Sequence, residues 1–137
     1  MRIMLDSNVI ISALLFPSVQ MDRLFKDLFD HHTIVLSSYI IDELHRVIRR
    51  KFPAQTKALD RLLVGMSYEL VYTPLEMEPD LVKIRDEKDY PILYSAITEE
   101  IDILITGDLD FKEIDLETPK IMTPKEYLEK YIGAENT

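Results

Sequence analysis

The chain has 137 residues, 47% of them hydrophobic and only three glycine, a composition that fits one ordered core and excludes disorder or a repeat array. The absence of cysteine excludes disulfides, thiolate-bound zinc and a cysteine nucleophile, so any metal must take oxygen or histidine ligands; it is also compatible with a reducing cytoplasm. A net charge of −9 gives no overall basic footprint for nucleic acid, and no apolar run approaches the roughly 18 residues of a membrane helix, so a soluble, cytoplasmic protein is expected.

Arg2-Ile3-Met4-Leu5 is a short apolar run followed at once by Asp6-Ser7-Asn8 and then by Val9-Ile10-Ile11, which reads as strand, cap and helix, with Pro17 ending the helix. Met21, Leu24, Phe25, Leu28 and Phe29 recur at helical spacing on a second helix that His31-His32 closes. Thr33-Ile34-Val35-Leu36 is a β-branched run suited to a buried parallel strand. Ser37-Ser38 then offer capping hydroxyls to a helix with Ile40, Ile41, Leu44, Val47 and Ile48 inward, ending in Arg49-Arg50-Lys51.

Pro53 opens another helix that runs to about Val64 and stops at Gly65, and Tyr68 to Tyr72 fits a third strand. A charged connection from Thr73 to Lys88, with Pro74 and Pro79, leads to a helix that begins at Asp89 with Pro91 in its first turn and Ile92, Leu93, Ala96 and Ile97 inward. Ile101 to Thr106 reads as a fourth strand and Lys120-Ile121-Met122 as a fifth, before Thr123-Pro124 cap a last helix to about Tyr131. This βα alternation predicts a three-layer α/β/α sandwich around a mostly parallel sheet of four to five strands, in one domain over residues 1–132 with a frayed tail over 133–137.

Four acids stand where a strand ends or a helix begins: Asp6, Glu43, Asp89 and Asp108. Taken singly each has an ordinary explanation. Asp6 and Asp89 fit helix caps, Asp86 competes for the role of Asp89, and Asp108 fits an acidic turn after Gly107, a glycine that would allow a tight bend. Glu43 complements a helix dipole, but its neighbours Ile41 and Leu44 place it at the edge of an inward face, where an uncompensated charge is costly. Taken together they point to the carboxyl edge of one parallel sheet, where ligands usually bind.

Asp6-Ser7-Asn8-Val9-Ile10, Glu43-Leu44-His45-Arg46-Val47, Asp89-Tyr90-Pro91-Ile92-Leu93 through Ala96, and Thr106-Gly107-Asp108-Leu109-Asp110-Phe111 resemble, in this order, the motifs of the PIN domain family, and the likeness covers nearly the whole chain. Arg85-Asp86-Glu87-Lys88-Asp89-Tyr90-Pro91 is similar to a subgroup of toxin components of toxin–antitoxin pairs, although that subgroup more usually has proline where Glu87 stands. The resemblance implies a metal-dependent ribonuclease acting on single-stranded RNA, with one or two Mg²⁺ or Mn²⁺ ions held by Asp6, Glu43, Asp89 and Asp108 and with Asp110 as a candidate extra ligand. It casts Ser7, Asn8 and Thr106 as supporting residues, and it implies a small antitoxin protein as partner.

Arg46 and Arg50 follow Glu43 on its helical face and are candidate contacts to RNA phosphates, while their place near the helix end also suits the dipole. His31, His32 and His45 read as surface or capping groups, most Tyr and Phe residues read as core, and Tyr90 and Phe111 stand beside the acids. A homodimer is the oligomer to test, and no membrane association is expected. The competing readings are a non-catalytic PIN fold used as a binding scaffold and a receiver-like Mg²⁺-binding signalling module. The latter lacks its acid pair after the first strand, where Asp6-Ser7 stands, and its acceptor after the third, where Tyr72-Thr73 stands.

Overall fold

The structure, a computed structural model, describes residues 1–84, 86–108, 110, 111, 114 and 116–133. The tail expected to fray lies, from residue 134 on, outside the described residues, as do Arg85 and Leu109 of the motifs above. Five strands form one sheet: β1 (Arg2–Leu5), β2 (Thr33–Ser37), β3 (Tyr68–Val71), β4 (Ile103–Ile105) and β5 (Lys120–Met122). Their order is β3-β2-β1-β4-β5, and every pairing is parallel.

The helices are α1 (Ser7–Leu15), α2 (Val19–His31), α3 (Ser38–Lys51), α4 (Thr56–Gly65), α5 (Tyr90–Thr98) and α6 (Pro124–Tyr127), the last continuing as a wider π-turn over Leu128–Ile132. From β1 the chain steps one way to β2 and β3, then back across the sheet to β4 and β5. Right-handed crossovers running in opposite directions lie on opposite faces, which makes the three layers. No described helix is long and apolar enough to cross a membrane.

The core is aliphatic and centred on the sheet. Ile3, Met4 and Leu5 of β1, Ile34, Val35 and Leu36 of β2, and Ile103, Leu104 and Ile105 of β4 are all buried, as strands covered on both faces require. Leu24 and Leu28 of α2 and Ile40, Leu44 and Ile48 of α3 pack against them at helical spacing. Phe29, at the margin of the α2 stripe, is 46% exposed, and Ile41 and Val47 are half-buried, so both stripes are narrower than the sequence pattern suggests. On α5 the reverse holds. Tyr94 and Ser95 are buried beside Ile92, Leu93 and Ala96, because the connection ahead of this helix folds over it: Tyr94 Oη accepts from Glu78 N at 3.3 Å, and the Thr73 and Ser95 hydroxyls meet at 2.9 Å.

Two strands are shorter than their apolar runs. β3 stops at Val71 and leaves Tyr72 74% exposed on an edge of the sheet. Before β4, Ile101 N is taken by Ala96 O to close α5, and Asp102 exchanges bonds with Arg2, its N–H donating to Arg2 O and its carboxylate accepting from Arg2 N. The helix opened by Pro53 begins as a 3₁₀ turn over Pro53–Gln55 before α4 proper.

α3 starts where the sequence places it, with buried Ser37 as N-cap accepting from Ile40 N at 3.2 Å. Ser37→Ala removes the acceptor for that amide and should destabilise the fold by about 1 kcal/mol, read as a lower urea midpoint at unchanged m-value.

Candidate active site

β1 and β4 are neighbours from which the chain departs in opposite directions, and the gap beyond their carboxyl ends is the switch point of this sheet. Asp6 follows β1 there, tied in by its own N–H to Ile105 O at 3.0 Å. Its carboxylate is buried, with 3% of the residue exposed, and is met by Ser7 N at 2.7 Å from Oδ1, Asn8 Nδ2 at 3.0 Å from Oδ2 and the Thr106 hydroxyl at 2.8 Å from Oδ2, with the Ser7 hydroxyl 3.4 Å from Oδ1. Asp6 is therefore the N-cap of α1 and a member of a larger polar centre at once.

Thr106 carries this centre across to the loop after β4. Its hydroxyl accepts from Asp108 N at 3.0 Å, and Asp108 Oδ1 in turn accepts from Asp110 N at 2.9 Å. Asn8 Oδ1 takes Gly107 N at 3.0 Å. The turn thus needs the Gly107 amide and no left-handed backbone: the positive-φ glycine of the chain is Gly133, and a Cβ on Gly107 would touch Asn8 at an ordinary 3.5 Å.

Glu43 reaches the same place from α3. It lies on the turn before buried Leu44 and Ile48, and its Oε1 accepts a short hydrogen bond from the Ser7 hydroxyl. Arg46 stands one turn further along, 59% exposed, with its guanidinium 3.9 Å from Glu43 Oε2. Arg50 is exposed beyond it.

Asp89 resolves the competition with Asp86. Asp86 is the cap, accepting from Lys88 N at 3.0 Å at the start of the 3₁₀ turn Glu87–Asp89. Asp89 occupies the N-cap position of α5 without a side-chain capping bond, and its buried Oδ2 has no hydrogen-bond partner among the described residues. Asp89 thus does not cap, and its Oδ2 meets no donor among the described residues. Burial first, then the charges of Asp108, Asp6 and Asp86 and a hydrogen bond with Asp108, push its carboxyl up to about 7. Asp6 is pushed up to about 6, mainly by burial and then by the charges of Glu43 and Asp108, against the lowering effect of the Thr106 hydroxyl and the Ser7 amide.

The four predicted acids are therefore linked electrostatically through Asp6, which feels Glu43 and Asp108 and acts on Asp89, with Ser7, Asn8 and Thr106 holding Asp6. Among the described residues, however, no three Asp, Glu or His side chains are placed as a ready-made metal-binding group. The histidines lie outside the centre: His31 and His32 beside Asp27, and His45 with Nδ1 on Ile41 O at 2.9 Å. Tyr127 Oη also donates to Asp27, at 2.6 Å, and belongs to that core cluster. Phe111 is fully buried, and Tyr90 is turned to the preceding connection, its hydroxyl accepting from Leu81 N at 3.1 Å and donating to Glu78 O. Tyr39, which the sequence reading passed over, adjoins Glu43, Arg46 and Asp89, and burial and the Glu43 charge raise its pKa. Its signal was its spacing, one turn before Glu43 on the same helical face.

A family model for the PIN domain matches residues 2–110, a span that contains all four acids and the elements that carry them. The chain belongs to the PIN domain family. Among solved structures, a chain in the crystal structure of VapBC2 from Rickettsia felis bound to a DNA fragment from their promoter matches this PIN domain with a TM-score of 0.68 and 24% identity, over 89% of this chain and 97% of that one. The likeness extends the fold assignment past residue 110, across most of the chain. No curated protein matches it in sequence.

The raised carboxyls give this PIN domain a pH signature. An acid whose folded pKa lies above its ordinary 3.8 binds its proton more tightly when folded, so it contributes stability that is present below pH 4 and is lost as pH rises through about 6 to 7. Melting curves in EDTA should show wild type losing stability between pH 4.5 and 7.5 relative to Asp89→Asn. Parallel curves for the two proteins would refute the assigned burial of Asp89.

Proposed function

We propose that this PIN domain is a divalent-metal-dependent endoribonuclease that hydrolyses phosphodiester bonds in single-stranded RNA, and that it serves as the toxin of a type II toxin–antitoxin pair. The carrying observation is that Asp89 Oδ2 is buried without a hydrogen-bond partner among the described residues, while its carboxyl is raised by burial and then by the charges of Asp108 and Asp6. Such a set is destabilised by its own charge, and a hard cation neutralises it with oxygen ligands alone.

Mg²⁺ or Mn²⁺, as one or two ions, would be held by Asp6, Glu43, Asp89 and Asp108, with Asp110 on the adjoining turn. Because the carboxylates do not already form a closed group, the ion would keep several of its waters, as Mg²⁺ usually does. When bound, it supplies an activated water and stabilisation of the leaving oxygen. The chain's own part is positional. Ser7, Asn8 and Thr106 fix the Asp6 carboxylate, the Ser7 hydroxyl orients Glu43, and exposed Arg46 with Arg50 beyond it offers charge to RNA phosphates near the acids. The antitoxin assignment draws on the family motifs and on the fold shared with a chain of a VapBC2 structure.

The open placement of the carboxylates favours one rival, a non-catalytic PIN fold acting as a scaffold. Incubation with a mixed set of labelled RNAs in Mn²⁺, Mg²⁺ or EDTA separates the two. Cleavage should need the metal, and Asp6→Asn should lower it by about a hundredfold or more, the scale of removing a key group from a reacting centre. An Asp6→Asn protein that cuts like wild type, both indifferent to EDTA, ends the metal-nuclease reading.

The antitoxin segment that covers this edge should be basic, since the chain carries −9 and its acids cluster there. Its affinity should fall as salt rises from 0.05 to 0.5 M, and the complex should not cleave RNA. A salt-independent affinity, or a complex that cuts at full rate, would count against that mode of inhibition.

A further inference from the structure

The four acids are not anchored alike. Asp6 and Asp108 hang on the ends of central strands through the Thr106 hydroxyl, and Glu43 rides on α3 above buried Leu44 and Ile48. Asp89 comes instead from a 3₁₀ turn that ends a long connection and precedes α5. The turn is closed internally, Lys88 N to Asp86 Oδ1 and Asp89 N to Asp86 O, both at 3.0 Å, and these bonds fix its shape without fixing its place.

Its hydrogen bond to α3 is made by Tyr39. This residue lies in the first turn of α3, and its half-buried side chain shares the helical face of Glu43 and Arg46. The hydroxyl donates to the main-chain carbonyl of Lys88 at 3.2 Å, and among the described residues this is the hydrogen bond that joins the turn to α3. Arg46 neighbours the same hydroxyl. A bond to the carbonyl immediately before Asp89 acts on the acid through the backbone.

We propose that Tyr39 is a positioning residue of the acidic site, its hydroxyl setting through the Lys88 carbonyl where Asp89 stands relative to Glu43. The positioning stands on geometry alone, and its consequence for cation binding rests on the metal-nuclease reading. Tyr39→Phe keeps the ring and removes the bond. Two measurements on the full chain test it: amide hydrogen exchange across residues 86–90 without metal, and Mn²⁺ affinity from the electron paramagnetic resonance signal of the free ion. Exchange should quicken in that segment, with α3 and the sheet unchanged, and the Mn²⁺ Kd should rise about tenfold, the scale seen when a support of a metal ligand is lost.

Unchanged exchange over 86–90 overturns the proposal. Faster exchange with an unaltered Kd also overturns it, because a merely structural tie would loosen the turn without moving the ligand. If wild type itself fails to bind Mn²⁺ while the exchange still quickens in the variant, the metal reading falls and the tie from Tyr39 to the turn stands.

Discussion

The hydrogen bond between the Thr106 hydroxyl and the Asp6 carboxylate, at 2.8 Å across the ends of β1 and β4, is the constraint on which the site depends. A carboxylate that is nine-tenths or more buried is tolerated only when its lone pairs are met. Asp6 achieves this with backbone and side-chain donors that also belong to the neighbouring segments. Through them, meeting the needs of one buried charge fixes the loop after β4: Thr106 holds Asp108 N, Asn8 holds Gly107 N, and Asp108 holds Asp110 N. The site is thus built outward from the sheet centre.

The arrangement works against stability at its own location. Burial raises the Asp6 and Asp89 carboxyls, and neighbouring acids raise them further. Nothing in the aliphatic core demands this crowding, since Ile3 to Leu5, Ile34 to Leu36 and Ile103 to Ile105 already form a covered sheet without it. Acids that oppose folding, grouped at the switch point of a parallel sheet, are what a functional site looks like energetically.

Most of the fold was legible because its signals are local. Alternation between β-branched runs and helical stripes gave the order of elements, and Ser37 and Thr123 marked two helix starts by their capping hydroxyls. Boundaries were less legible where long-range contacts compete with propensity. Tyr72 has the residue type of a strand but stands exposed beyond the last pairing of an edge strand, and Ile101 is apolar enough for β4 but its amide closes α5. The burial of Tyr94 and Ser95 was invisible, because it arises from a connection folding over α5 from sixteen or more residues away.

The sequence by itself determined which residue types occupy each strand end and helix start, and so which acids were candidates, because caps, turns and apolar periods act within a few residues of chain. It could not decide between Asp86 and Asp89, since both fit the same cap and the difference lies in what each faces across space. Tertiary structure gave the cap to Asp86 and left Asp89 among Asp6 and Asp108. It also gave Tyr39 its place beside them, joining residues 49 apart in the chain through one hydroxyl and one carbonyl. Contacts of that range depend on how the sheet orders its strands, with β1 in the middle and the fourth strand returning to its side. That order is a property of the whole packed core and is written in no single segment.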